Sequence, residues 1–272
     1  MSPLEKAPTG IRRSRRNLVK AGVIGASAIL AHLSEIKAAA ANCGHNGKDV
    51  GEGCESQCFL KGTMIRTADG DRKIEDLTAG DLLPGFFGGI RPIQWIAHYP
   101  FKKGDPTKAW VSDVLPVRVA RSALGPRIPN ADLYITRAHA LLIDGVLVPV
   151  YTLINGTTIA IYDGSSLDEL EYFHIKLERH DVIYAEGTPC ETLLNVDENA
   201  VNFAEYLRHY GRPTTREAPC APLLSYNGRR SEMRSRLRSA ISPWIDCRER
   251  LDIIRDELEE GGSILLQHSE LV

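Results

Sequence analysis

An all-β fold followed by a C-terminal α-helical appendage is what this sequence predicts, and three observations carry that prediction. From Cys58 to about Leu194 the chain reads as about ten short runs of β-branched, aliphatic and aromatic residues, with Gly, Asp, Asn and Pro between them. Within that stretch Asp144-Gly145 links two apolar runs, and a two-residue Asp-Gly link supplies the positive φ angles of a type I′ hairpin turn. After Leu194 the apolar residues recur at three and four positions, the spacing of helices.

Taken in order, strands are expected over residues 63–67, then, after the turn Ala68-Asp69-Gly70-Asp71, over 73–77 and 80–83. Residues 90–96 follow, with Pro92 marking an edge or a bulge because proline cannot donate to a ladder. Residues 116–120 and 133–136 are two more strands, 140–143 and 146–150 form the Asp144-Gly145 hairpin, and 157–162, 172–177 and 181–185 complete the set. A first helix carries Ala200, Val201, Ala204 and Leu207 and stops at Gly211 and Pro213. A second carries the stripe Met233, Leu237, Ala240 and Ile241. Ser242-Pro243 reads as N-cap and first-turn proline of a third, which holds Cys247, Leu251, Ile254 and Leu258. Arg229, Arg230, Arg234, Arg236 and Arg238 crowd the second helix, either as a solvated face balanced by Asp256, Glu257, Glu259 and Glu260 or as a basic patch for an acidic partner.

The first 41 residues read as an address: Arg12-Arg13-Ser14-Arg15-Arg16-Asn17-Leu18-Val19-Lys20, then a weakly apolar run from Ala21 to Leu33, then Ala38-Ala39-Ala40-Ala41. Residues 14–20 look like a twin-arginine export signal, which makes the twin-arginine machinery a partner and the periplasm or cell exterior the destination. The apolar run falls short of the ~20 residues that cross a bilayer, so no stable membrane span is expected. Residues 42–57 are Gly-rich and polar, a flexible leader. The organisation is thus 1–41 signal, 42–57 leader, 58–194 β domain and 195–272 helical extension. A net charge of -2 argues against nucleic acid or an anionic membrane as the business of the whole chain, the arginine cluster being the local exception. Six cysteines are too few and scattered for a disulfide-stapled fold; Cys43 with Cys54, or Cys54 with Cys58, could pair after export, and Cys58 is read as a thiol.

Cys58 sits at the junction of leader and β domain, and Thr136-Arg137-Ala138-His139 ends a strand well downstream. A thiol, a hydroxyl and an imidazole brought together by folding can attack the peptide bond just before the thiol, Gln57-Cys58. An ordinary thiol, with a pKa of about 8.5, is only a few per cent ionised at neutral pH and needs a base. Each residue also has a plain role: Cys58 as a small buried apolar group, His139 as a cap at a hairpin entry, Thr136 as a β former.

The block Cys58-Phe59-Leu60-Lys61-Gly62-Thr63-Met64-Ile65, with Ile74-Glu75-Asp76-Leu77 and Gly80-Asp81, resembles the opening of Hint domains, the module shared by Hedgehog autoprocessing domains and inteins. Residues 132–143 are similar to their second block, and Tyr172-Phe173-His174-Ile175, residues 180–187 and Glu191-Thr192 to the closing block of a bacterial Hint subfamily. The resemblance implies the horseshoe-like Hint β fold, and it implies roles. Cys58 exchanges the Gln57-Cys58 amide for a thioester, Thr136 holds that amide, and His139 protonates the departing nitrogen, a step typically worth ~10² to 10⁴ in rate. A twisted Gln57 peptide would add strain. His180 and Asp181, at the start of the strand that crosses the site in such folds, would polarise the thioester or activate its acceptor, or else form a surface turn. His174 alternates with Phe173 and Ile175 and is expected on the other side of its strand.

Inteins end in His-Asn before Cys, Ser or Thr, whereas Thr188-Pro189-Cys190-Glu191 stands here, so full splicing is not expected. The expected outcome is N-terminal self-cleavage in a single turnover, with the chain's own leader as substrate, water or a small nucleophile as acyl acceptor, and no cofactor or metal. The rivals are an inactive Hint scaffold used for binding, a zinc module of Cys43, His45, Cys54 and Cys58, and a cysteine peptidase acting on other proteins.

Overall fold

The computed structural model describes residues 57–105, 107–196, 198–212, 217–226 and 228–269. The signal, and the leader apart from Gln57, lie outside them.

The strands are β1 (Phe59–Leu60), β2 (Met64–Thr67), β3 (Gly70–Lys73), β4 (Leu82–Gly85), β5 (Gly89–Lys102), β6 (Val117–Val119), β7 (Leu133–Ile135), β8 (Ala140–Ile143), β9 (Val146–Pro149), β10 (Ile159–Ile161), β11 (Glu169–Leu177), β12 (Val182–Ala185) and β13 (Thr188–Glu191). They form a seven-stranded sheet, β10-β6-β7-β1-β11-β5-β4, and a six-stranded sheet, β3-β2-β12-β13-β8-β9. The helices are α1 (Phe203–Tyr210), α2 (Arg229–Ile241) and α3 (Arg250–Ser269).

Burial follows the pleat. Along β5, Ile93, Trp95, Ala97 and Tyr99 are buried while the residues between them are partly exposed. Its ladder with β11 runs Ile96 to Ile175 and Trp95 to Lys176, then Ile93 to Leu177, so Gln94 is an extra residue in a bulge two positions after Pro92. That bulge separates two cores. Ile93 packs with Phe59, Ile65, Leu83, Ile135, Leu141 and Ile175 between the sheets. Trp95, Ala97 and Tyr99 pack with Cys58, Leu170, Tyr172, Leu193, Ala200 and Tyr206. Cys58 and Phe59, adjacent in sequence, therefore bury themselves in opposite cores.

The Asp144-Gly145 turn has φ of 50° and 77°, and it pairs Ile143 with Val146 as expected of a type I′ hairpin. α1 stops at Gly211, whose φ of 71° suits a residue without Cβ and whose N–H reaches the Leu207 carbonyl at 3.0 Å. Three expectations need correction. Residues 74–76 make a short 3-10 turn rather than a strand. A strand stands at Thr188–Glu191, where none was expected. Ser242 does not open the third helix: its Oγ donates to the Ser239 carbonyl at 2.8 Å and so closes α2. α3 starts at Arg250, and the Asp252 carboxylate accepts the Glu249 N–H at 2.9 Å, the carboxylate half of a capping box.

Candidate active site

The site is built around β1, which has only two residues yet pairs on both sides. Phe59 faces Ile135 of β7 and Phe173 of β11. One antiparallel step further brings Cys58 abreast of Thr136, and the backbone closes the match: the Thr136 N–H donates to the Cys58 carbonyl at 2.9 Å. The Cys58 N–H, which belongs to the Gln57-Cys58 peptide, donates to Thr136 Oγ1 at 2.7 Å. The threonine thus holds the peptide on the nitrogen side of the bond that Cys58 would attack. The same step on the other flank sets Cys58 against His174.

Cys58 has no exposed surface. Tyr172 lies close by with its hydroxyl donated to the Val114 carbonyl at 2.6 Å, and burial, then the neighbouring Cys58, push its pKa far above the usual phenol range.

A tight turn carries the chain from Thr136 to His139, whose N–H reaches the Thr136 carbonyl at 3.1 Å. The His139 carbonyl accepts the Val150 N–H at 2.9 Å, so the residue is fixed from both sides. Its imidazole is fully buried, 4.3 Å from the Phe59 ring and 5.1 Å from that of His174 between centroids. Burial lowers its pKa to about 4, against the opposing pull of the Glu191 and Cys58 backbones. It is neutral at physiological pH. Nε2 lies 3.2 Å from the Glu191 carbonyl, an acceptor only, so the proton sits on Nε2 and the lone pair on Nδ1. Among the described residues Nδ1 meets no partner in good hydrogen-bond geometry, although the Cys58 backbone lies near enough to this ring to raise its pKa.

Glu191 grips this turn twice. Its main-chain carbonyl takes His139 Nε2, and its Oε1 accepts the N–H of the next residue, Ala140, at 2.7 Å. Oε2 lies 3.6 Å from His180 Nε2. His180 Nδ1 accepts the Cys220 N–H at 2.9 Å, so a neutral His180 carries its proton on Nε2, towards Glu191. Burial raises the Glu191 pKa in spite of His180 and Ala140. His174 is fully buried too; burial first, then His139 and His180, hold its pKa well below the usual imidazole range.

Of the five candidates, the structure gathers Cys58, Thr136 and His139 directly and joins His180 through Glu191. Asp181 is turned to another task. Its Oδ1 accepts the N–H of Phe87 at 2.9 Å and of Val182 at 2.7 Å, and Oδ2 lies 3.6 Å from Arg91 Nε, so the carboxylate braces the β4–β5 hairpin. Two residues escaped the sequence reading. His174 lies one register step beyond the partner of Phe59, a signal visible only once β1 and β11 are paired. Glu191 stands in the Glu191-Thr192 pair of the closing block. No group of three or more metal-ligating side chains is present among the described residues, and Cys43, His45 and Cys54 lie outside them.

A mostly antiparallel β fold with C-terminal helices, and a buried Cys and His meeting a half-buried Thr at one strand junction, places the chain in a definite class. The sequence model of one family, described as Hint domain, matches residues 57–197, and the chain belongs to that family. Three solved structures are similar in fold. The gp41-1 intein is 14% identical, with 50% of this chain and 98% of the intein covered and a TM-score of 0.35. The DnaB intein from Synechocystis sp. PCC 6803 is 13% identical, with 51% and 99% covered and a TM-score of 0.35. The bacterial intein-like domain from Clostridium thermocellum is 14% identical, with 51% and 99% covered and a TM-score of 0.35. No curated protein matches the chain.

Proposed function

We propose that this Hint domain cleaves its own chain at Gln57-Cys58. The observation that carries the proposal is the hydrogen bond from the Cys58 N–H to Thr136 Oγ1, made beside a neutral imidazole whose lone pair is on Nδ1. His139 takes the thiol proton on Nδ1, and the sulfur attacks the Gln57 carbonyl carbon. The resulting imidazolium, buried and therefore strongly acidic, returns its proton to the Cys58 nitrogen as the C–N bond breaks. The products are a Gln57 thioester and a free α-amine on Cys58. Water or a small nucleophile then attacks the thioester, releasing the leader and restoring the thiol. Glu191 and His180 keep the His139 ring in its working tautomer.

The reading extends to the rest of the chain. Residues 1–41 act as a twin-arginine signal of a bacterial protein, residues 42–57 are the leader released, and the product is exported.

The second reading, a Hint scaffold that binds without cutting, draws on one observation: Cys58 has no exposed surface. Purified full-length protein treated with hydroxylamine or a thiol separates the two. Release of a fragment whose mass begins at Cys58, absent from Cys58→Ala, supports cleavage. Protein that stays intact under reducing conditions with strong nucleophile supports the scaffold.

A further inference from the structure

α2 is built inside out. Its hydroxyl residues face the protein: Ser235 is fully buried, donates to the Asp252 carboxylate and accepts from Arg255 Nη1 at 2.8 Å, and Ser239 Oγ accepts from Arg255 Nη2 at 2.7 Å. Arg238 joins the same network through Asp252, with Nε to Oδ2 at 2.6 Å. The network fixes which way the helix faces, because turning it over would strand a buried aspartate and a buried arginine. Its apolar stripe therefore points to solvent. Met233 is 71% exposed and Leu237 62%, Ile241 follows one turn on, and Trp244 and Ile245, just past the helix, are 81% and 70% exposed. A solvated face has no use for such a row.

The charges on this helix say what would cover it. α2 carries five arginines against one glutamate, and that glutamate, Glu232, pairs with Arg236 at 3.1 Å. Arg230 and Arg234 are exposed, and no ion pair engages either among the described residues. They lie on the apolar stripe itself, at the i, i+4, i+7, i+11 positions that continue to Leu237 and Ile241. Interleaving of this kind suits a lipid surface. The arginine stems lie along the acyl boundary while the guanidinium groups meet phosphates at the same depth, with tryptophan at the headgroup level. A protein partner would have to bury those guanidinium groups among apolar contacts, and a second copy would bring a like-charged face. Arg236 and Arg238 are matched by Glu232, Glu249 and Asp252, so Arg230 and Arg234 are the cations that the stripe offers. No described helix is long and apolar enough to cross a membrane, so the contact is one of lying on the surface.

We infer that α2 and the following Trp244-Ile245 dock the protein peripherally on an anionic membrane surface. The test uses full-length protein carrying Cys58→Ala, mixed with vesicles of phosphatidylcholine alone or with phosphatidylglycerol added. The N-terminal segment is common to all variants, so differences among them report α2. On the anionic vesicles, Trp244 emission is expected to shift to the blue and to be quenched by brominated lipid, and Trp244→Phe to abolish that quenching. Arg230→Gln with Arg234→Gln, and separately Met233→Ser with Leu237→Ser, should each lower partitioning by roughly tenfold or more. Equal binding by these variants, or quenching that survives Trp244→Phe, overturns the inference. So does lipid-independent self-association that Leu237→Ser abolishes, which would give the face to a second copy.

Discussion

His139 offers a test that needs no knowledge of the acyl acceptor. Its pKa falls from 6.5 in an unfolded chain to about 4 in the fold. Between those values the unfolded state binds a proton that the native state refuses, so stability rises with pH across that window and is lost as pH falls through it. For a single site with these two values, lowering the pH from about 7.5 to about 5 removes about 2 kcal/mol, and the full loss below about pH 4 is about 3 kcal/mol. The perturbation is His139→Gln in a Cys58→Ala background, which keeps the chain intact and leaves a side-chain amide able to donate to the Glu191 carbonyl. Urea unfolding across that pH range, with and without the substitution, is the assay. His174 is depressed in the same direction, chiefly by burial that the substitution leaves in place; the smaller share due to His139 is lost with it and makes the pH dependence shallower in the same sense. The expected result is a shallower pH dependence for His139→Gln, by about 2 kcal/mol over the range. Equal slopes would mean that His139 is solvated or charged in the fold, and the tautomer argument would fail with it.

Thr136→Val keeps the shape and removes the acceptor of the Cys58 N–H; a buried donor left without its partner costs about 1 to 3 kcal/mol, so cleavage followed by intact mass should slow by roughly 5- to 150-fold, and an unchanged rate would refute its role. Glu191→Gln should act oppositely to His139→Gln. The raised pKa of Glu191 means that its contribution to stability declines as pH climbs above its ordinary 4.5, so removing the carboxyl should steepen the rise of stability with pH, and an unchanged slope in the same urea assay would refute this. Asp181→Ala should lower the melting temperature through loss of the Phe87 and Val182 bonds, while cleavage by the folded fraction stays within a few-fold of the parent; a loss of about 100-fold would return Asp181 to the chemistry.

The legible parts of this protein were those encoded within a few residues of one another. The strand expected over residues 90–96, which lies within β5, the Asp144-Gly145 turn and the Gly211 stop each depend on local backbone preference, and each stands in the structure where the residues indicate. Cys58, Thr136 and His139 could be picked out because each lies at a strand boundary within a recognisable block. What stayed hidden depends on partners far along the chain. The setting of His174 is decided by β1 pairing with β11 across more than a hundred residues, and alternation within one strand cannot reveal it. Glu191 holds His139 through a main-chain carbonyl, which no side-chain identity announces. β13 was missed because it contains Pro189. β8 meets β13 only at Cys190, so the missing N–H interrupts no ladder there. Ser242-Pro243 has the letters of a helix start, but the backbone had already committed that serine to Ser239.

The core that encloses Cys58 is not closed by β strands alone. Leu193, Ala200 and Tyr206 share it, with Val196 and Phe203 packed against it, so the thiol's wall is finished by chain that follows the last strand. The sulfur is thus capped by chain that is made after the last strand. During synthesis the β sheets can assemble with the sulfur still uncovered, and only when the segment through α1 settles is the chamber shut. A fragment ending near Leu194 would carry the same Cys, Thr and His in a wetter setting.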